Sequence, residues 1–119
     1  MRYICLVHFE PEKLTGLPEA ERREFDRRSL AYDEDLKVRG HLVHAEAIEG
    51  GDSAVLVRVR NGKAATTDGP FIETKEQMAG FVLIEARDMT EAVQLAAHIP
   101  LAELGTIEVR PVYIVPGSQ

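Results

Sequence analysis

Cysteine is nearly absent from this chain. Cys5 is the only one among 119 residues, so an intrachain disulfide and a Cys-x-x-Cys site are both excluded. Tryptophan is missing, and aromatic residues make up 6% of the chain. That leaves little for the stacking platforms that single-stranded nucleic acids require. Positive charge is in deficit: 14 Lys and Arg face 20 Asp and Glu, for a net charge of -6. Nucleic-acid-binding domains carry a basic stripe, so nucleic acid is not an expected partner. No apolar run is long enough to span a bilayer, and no membrane partner is expected. The chain starts directly on a strand-like run, without the charged and apolar regions of a secretory leader, and a cytoplasmic protein is the expectation. No GxGxxG, P-loop, GxSxG or HExxH pattern occurs. His41 and His44 are three apart and point to opposite faces of a strand, so they cannot share one metal ion. With no clustered His-carboxylate spacing, neither a metal nor a cofactor is expected.

What is present is the patterning of one domain, residues 1–119, with 45% hydrophobic and 29% charged residues. Arg2 to His8 reads as a strand with Tyr3, Cys5 and Val7 on one face and Ile4, Leu6 and His8 on the other. Both faces are largely apolar, which predicts burial on both sides. Glu10-Pro11 ends it, and a loop runs to Leu17-Pro18. A helix follows to about Arg39. Phe25, Ser29, Tyr32 and Leu36 form its inward stripe, Ser29 being the polar exception. The Arg22, Arg23, Arg27 and Arg28 run is a solvated face, and Gly40 stops the helix. Leu42 to Ile48 is a strand with Leu42, His44, Glu46 and Ile48 on one face. Ala54 to Arg60 and Lys63 to Thr67 flank Asn61-Gly62, a strong hairpin signal. Ala79 to Ala86 is the central strand. Asp88 and Glu91 cap a helix with Met89, Ala92, Val93, Ala96 and Ala97 on its apolar face. His98 falls at the end of this helix, where a cation suits the dipole. Thr106 to Val115 is the last strand, and Pro111 points to an edge or a bulge.

With the hairpin set aside, the order is β-α-β-β-α-β, the ferredoxin-like pattern of an α+β fold. Both helices and the hairpin should cover one side of the sheet. Ile4, Leu6 and Leu42 would then remain on the other side as an exposed apolar patch. A second copy is the simplest cover. Two such sheets facing each other give a dimeric α-β barrel with an inserted β-hairpin, and the partner expected is a homodimer mate.

The stretch from Asp68 to Glu76 concentrates the chemistry. Gly69-Pro70 makes a turn that interrupts strand structure. Asp68 can cap this turn or place its carboxylate at the mouth of a pocket. Thr74 and Gln77 have capping-box spacing, which predicts one helical turn through Lys75 and Glu76. Histidine suits acid–base work near neutral pH, and His8 ends the first strand on the face away from Cys5. His8 and Asp68 are thus the candidate catalytic pair. Glu46, Ser29, Lys75 and Glu76 are the candidate ligand-binding residues, Glu46 either lining a pocket or pairing with an arginine such as Arg2. Each also has a plain structural reading, as a strand-end histidine, an ion pair or a connector. Cys5, among apolar neighbours, reads as an inert buried thiol.

Thr67-Asp68-Gly69-Pro70-Phe71, then Glu73-Thr74-Lys75-Glu76 and Gly80-Phe81, resemble the YCII-related (DGPF-type) family. The hairpin Val57–Gly62 and Glu46-Ala47 carry the same resemblance, which spans essentially the whole chain. It implies a ferredoxin-like dimeric α-β barrel. It names no activity. The first reading of the residues is a homodimer that binds an unknown small molecule in a pocket near the sheet face. A cofactor-free lyase or isomerase fits the residues, and a non-catalytic binding module is the alternative. The resemblance also implies a regulatory setting beside extracytoplasmic-function sigma factors. An enzymatic branch of the wider superfamily resembles a lyase with a His-Asp pair, its histidine near the start of the first helix. Here Pro18-Glu19-Ala20-Glu21 holds no histidine.

Overall fold

The computed structural model describes residues 1–72 and 74–118. The main sheet contains β1 (Arg2–Phe9), β2 (Leu42–Ala47), β5 (Gln77–Glu85) and β6 (Gly105–Pro111), in the order β2-β5-β1-β6. Every neighbouring pair is antiparallel. This is the strand order that a β-α-β-β-α-β chain adopts when both long connections lie on one face. Those connections are α2 (Glu19–Val38) and α3 (Met89–Ala96). A short helix α1 (Pro11–Thr15) fills part of the stretch expected to be a loop. Five residues are too few to show a helical period. Pro11 at its first position supplies the start signal, because a missing N–H costs nothing there.

The core lies between the sheet and the two longer helices. Tyr3, Cys5, Val7, Val82, Ile84, Leu36, Ala92, Leu95 and Ile99 are buried there. Alternation along β1 and β5 puts Tyr3, Cys5, Val7, Val82 and Ile84 on one face, as the period of two requires. On α2 the stripe of Phe25, Ser29, Tyr32 and Leu36 does face inward, but only Leu36 is fully buried. The Tyr32 hydroxyl donates to the Leu95 carbonyl at 2.6 Å, which ties α2 to α3. Burial pushes the Cys5 thiol up to about 11, so it stays protonated and inert. Asp88 caps α3, its side chain accepting from the Glu91 N–H, while Glu91 accepts from the Arg87 N–H.

Three packing expectations are corrected. Ala92, Leu95 and Ala96 bury the inner face of α3, while Met89 and Val93 sit at its exposed margin. Leu42 belongs to the core side. It pairs with Ile84 while His44 pairs with Leu83, so Val43 is an extra residue in β2. Such a bulge reverses the alternation on one side of it. The hairpin does not help to cover the main sheet. Strands β3 (Val55–Arg60) and β4 (Lys63–Asp68) form a separate two-stranded sheet. Asn61 and Gly62 both have positive φ, 54° and 75°, as a two-residue hairpin turn needs.

The face of the main sheet away from the helices carries two cross-strand rows. One reads His44, Leu83, Ile4, Arg110; the next reads Glu46, Phe81, Leu6, Glu108. Four half-buried apolar side chains are thus framed by charge on both edge strands. The chain exposes 8466 Å², whereas a compact monomer of this mass exposes about 6,400 Å². Its radius of gyration is 16.4 Å, against about 13.5 Å for a compact domain of this length. Among the described residues, no helix is long and apolar enough to cross a membrane.

Candidate functional site

A cleft lies where the hairpin rejoins the sheet. Its volume is about 620 Å³. His8 from β1 lines it, with Gln77 and Met78 from the start of β5. Ile48 to Gly51, with Ser53 and Ala54, form one wall. Pro70, Phe71, Ile72, Thr74 and Glu76 form the opposite wall. Most of this lining is apolar, with a few polar groups, as small-molecule sites commonly are.

Local sequence explains the shape. Val7 pairs with Gly80 but His8 pairs with Met78, so Ala79 is an extra residue in β5. This bulge re-aims the start of β5 toward the cleft, and bulges are frequent beside functional sites. The turn after β4 then folds back. Gly69 has φ +105°, and its N–H donates to the Ala54 carbonyl at 2.8 Å. Pro70 packs on Gly51, where an added Cβ would come within 2.9 Å of the proline ring. The Gly51 N–H donates to Gln77 Oε1 at 3.4 Å, joining the first wall to the start of β5. Glycine adopts φ +105° freely, whereas a β-branched residue does not. Gly69→Val should therefore cost about 1–3 kcal/mol. Urea denaturation measures this, and an unchanged midpoint would show that the turn is unstrained.

The expected helical turn at Thr74 is not formed. Thr74 to Glu76 is irregular, and strand β5 already begins at Gln77. The Thr74 hydroxyl donates to the Glu76 carbonyl, so the residue caps a turn and not a helix. Tertiary pairing of Gln77 with Phe9 overrides the local signal. Glu73 of the same string lies outside the described residues.

His8 lines the cleft, but Asp68 does not. Asp68 ends β4 opposite Val55 and is exposed. The carboxylate beside His8 is Glu108, with Oε1 3.2 Å from the imidazole Nε2. Sequence reasoning did not single out Glu108. The available signal was the alternation of the last strand, where Thr106, Glu108 and Arg110 share the face opposite Ile107 and Val109. Glu76 is half-buried in the cleft wall and accepts from the Thr106 hydroxyl at 3.5 Å. Lys75 is exposed and does not line the cleft.

Ser29 and Glu46 meet elsewhere. They line a second cleft of about 510 Å³ between α2 and the β2–β5 edge, with Asp26, Asp33, Tyr32 and Phe81. Burial raises the Asp33 carboxyl above its ordinary range. Glu46 is exposed and 3.8 Å from His44, while Arg2 pairs with Glu85. His41 Nδ1 is 2.8 Å from the Glu85 carbonyl, and His98 Nδ1 is 3.0 Å from the Gln94 carbonyl. Both sit where a ring N–H can satisfy a backbone oxygen. Among the described residues, no three His, Cys, Asp or Glu side chains converge as a metal site would require.

This architecture is shared by known proteins. A 5-chloro-2-hydroxyhydroquinone dehydrochlorinase from Burkholderia phenoliruptrix, solved with 2,5-dihydroxybenzoquinone, superposes with a TM-score of 0.58. The alignment covers 95% of this chain and 94% of that one, at 17% identity, a likeness of fold. An uncharacterized protein of Rhizobium meliloti is 40% identical over 122 residues, covering 99% of this chain and 98% of the relative. The YCII-related domain matches residues 1–115. By sequence and by fold together, this chain belongs to the YCII-related domain family.

Proposed function

We propose that this chain is a homodimer that binds a small, planar, hydroxylated ligand in the cleft beneath the Gly69-Pro70 turn. His8 would act there as the acid–base group of a cofactor-free lyase or isomerase. One observation carries this reading: an apolar cleft of about 620 Å³ has a histidine in its lining, and that histidine is hydrogen-bonded to a carboxylate. A carboxylate on one ring nitrogen fixes the tautomer and orientation of an imidazole. Nε2 faces Glu108, so Nδ1 is the nitrogen free to exchange a proton with a ligand. Phe71, exposed at the mouth, offers an aromatic face, with the Arg58 guanidinium 6.0 Å from its ring. The Burkholderia dehydrochlorinase, of the same fold, holds 2,5-dihydroxybenzoquinone. That compound and simple hydroxybenzoates are therefore the first probes.

Titration of the labelled protein with these probes should shift the amides of Gly51, Phe71, Gln77 and Met78 in a saturable way. His8→Gln should weaken binding by about tenfold, the worth of one well-placed hydrogen bond. Ser29→Ala, in the second cleft, should leave it unchanged. Shifts confined to Ser29, Asp33 and Glu46, or the lack of saturable binding by any probe, would overturn the assignment.

The dimer is supported by the apolar centre of the open sheet face and by the surface in excess of a compact monomer, about 2,000 Å². Over two chains that excess is about 4,000 Å², within the roughly 2,000–5,000 Å² that obligate interfaces remove over both partners.

A further inference from the structure

Part of that excess surface lies on the hairpin. Residues 57–68, the bulk of the hairpin, are all exposed. Val55, Val57 and Val59 stand on one face of it, 56%, 65% and 59% exposed. Ala64 and Thr66 lie opposite Val59 and Val57 on the same face. The other hairpin face carries Leu56 and Arg58, and Arg58 reaches toward Phe71 of its own chain. The valine face therefore points away from the body of the protomer. An isolated two-stranded hairpin is marginal in water unless a third layer packs on it. Three adjacent exposed valines, with charge confined to the opposite face and the strand ends, are the pattern of a face that is covered.

We propose that the β3–β4 hairpin is an arm whose valine face packs against a second copy of this chain. The inference rests on the dimer reading above and extends it from the sheet to the arm. Continuity argues for a second copy. His8, on the open sheet face, and Ala54 and Pro70, at the root of the arm, line one cleft, so the arm springs from the rim of that face. Area argues the same way. Four half-buried side chains at the sheet centre make a small contact, and adding the arm brings the interface to the size that a stable dimer needs.

The test uses sedimentation equilibrium and amide hydrogen exchange on the full chain. The amides of Val55–Arg60 and Lys63–Asp68 that the hairpin ladder protects should exchange slowly at concentrations where the wild type is dimeric, and at least tenfold faster when it is diluted to monomer. The double variant Val57→Asp, Val59→Asp should keep the wild-type circular dichroism. It should dimerise on the order of 10,000-fold more weakly, the loss expected when a twofold dimer leaves four such side chains wet. Ala65→Asp, on the opposite hairpin face beside Arg58, should dimerise as the wild type does. A dimeric double variant of undiminished affinity would overturn the arm and leave the dimer standing. So would arm amides that exchange equally fast in monomer and dimer. A monomeric wild type at micromolar concentration would overturn both.

Discussion

Leu6→Asp should sediment as a single chain of 13.2 kDa, or fail to fold, where the wild type sediments at about twice that mass. Leu6 sits between Phe81 and Glu108 in its cross-strand row and beside Ile4. It is half-buried in the isolated chain, and the proposed interface would take up the rest. An aspartate there would meet apolar side chains and add a like charge next to Glu108. Leaving a charge buried without a partner costs about 3–5 kcal/mol. A twofold dimer carries the substitution twice, so association should fall by roughly 10,000-fold or more. Arg27→Asp lies on the exposed surface of α2 and breaks only its pair with Glu24. It should leave the mass unchanged. A wild-type chain that sediments as a monomer at micromolar concentration would remove the interface from the account.

Gly80→Val should cost about 3 kcal/mol or more, enough to leave a marginal domain largely unfolded at physiological temperature. Gly80 is buried in β5 between β1 and β2. A Cβ at this position would fall 2.5 Å from the Glu46 carbonyl oxygen and 3.0 Å from the Ala47 Cα. Both are backbone atoms, so no side-chain rotation relieves the contact. Relief requires β2 to move off β5, and that breaks the ladder that carries Ala45 to the core. Gly50→Ala is the control. It meets nothing within 4 Å and has no positive φ, so its effect should stay within about 0.5 kcal/mol. Thermal unfolding measures both. A Gly80→Val variant that melts with the wild type would mean that the β2–β5 spacing is looser than described.

The fold was legible because each element of the main sheet and both long helices show their own period. Cys5, Val7, Val82 and Ile84 alternate as strand residues, and Ala92 and Ala96 repeat as helix residues. Asn61-Gly62 announced the hairpin through backbone chemistry alone. The misreadings have separate causes. Alternation assigns a residue to a face only while no residue is inserted, and Val43 is inserted. Leu42 was therefore placed on the wrong side. At Thr74 a sound local cap signal lost to the pairing of Gln77 with Phe9. The candidate site was legible in part. His8, Glu76 and the turn at Gly69-Pro70 do converge on one cleft. Asp68, Ser29, Glu46 and Lys75 lie outside it, because strand register and loop path decide such neighbours. Glu108 could be seen beside His8 only once β6 was known to pair with β1.

That pairing also sets when the molecule can form. The first strand lies between the third and the last strand of the main sheet, so Cys5 waits for Val109, about a hundred residues later in the chain. A nascent chain stopped before Gly105 has β1 paired on one edge only, with the Ile107 and Val109 side of the core missing. Such non-local closure folds slowly and leaves strand edges open in the meantime. Synthesis from the N-terminus therefore gives this domain no stable half. On the ribosome, closure of the main sheet must wait until the last strand has cleared the exit tunnel.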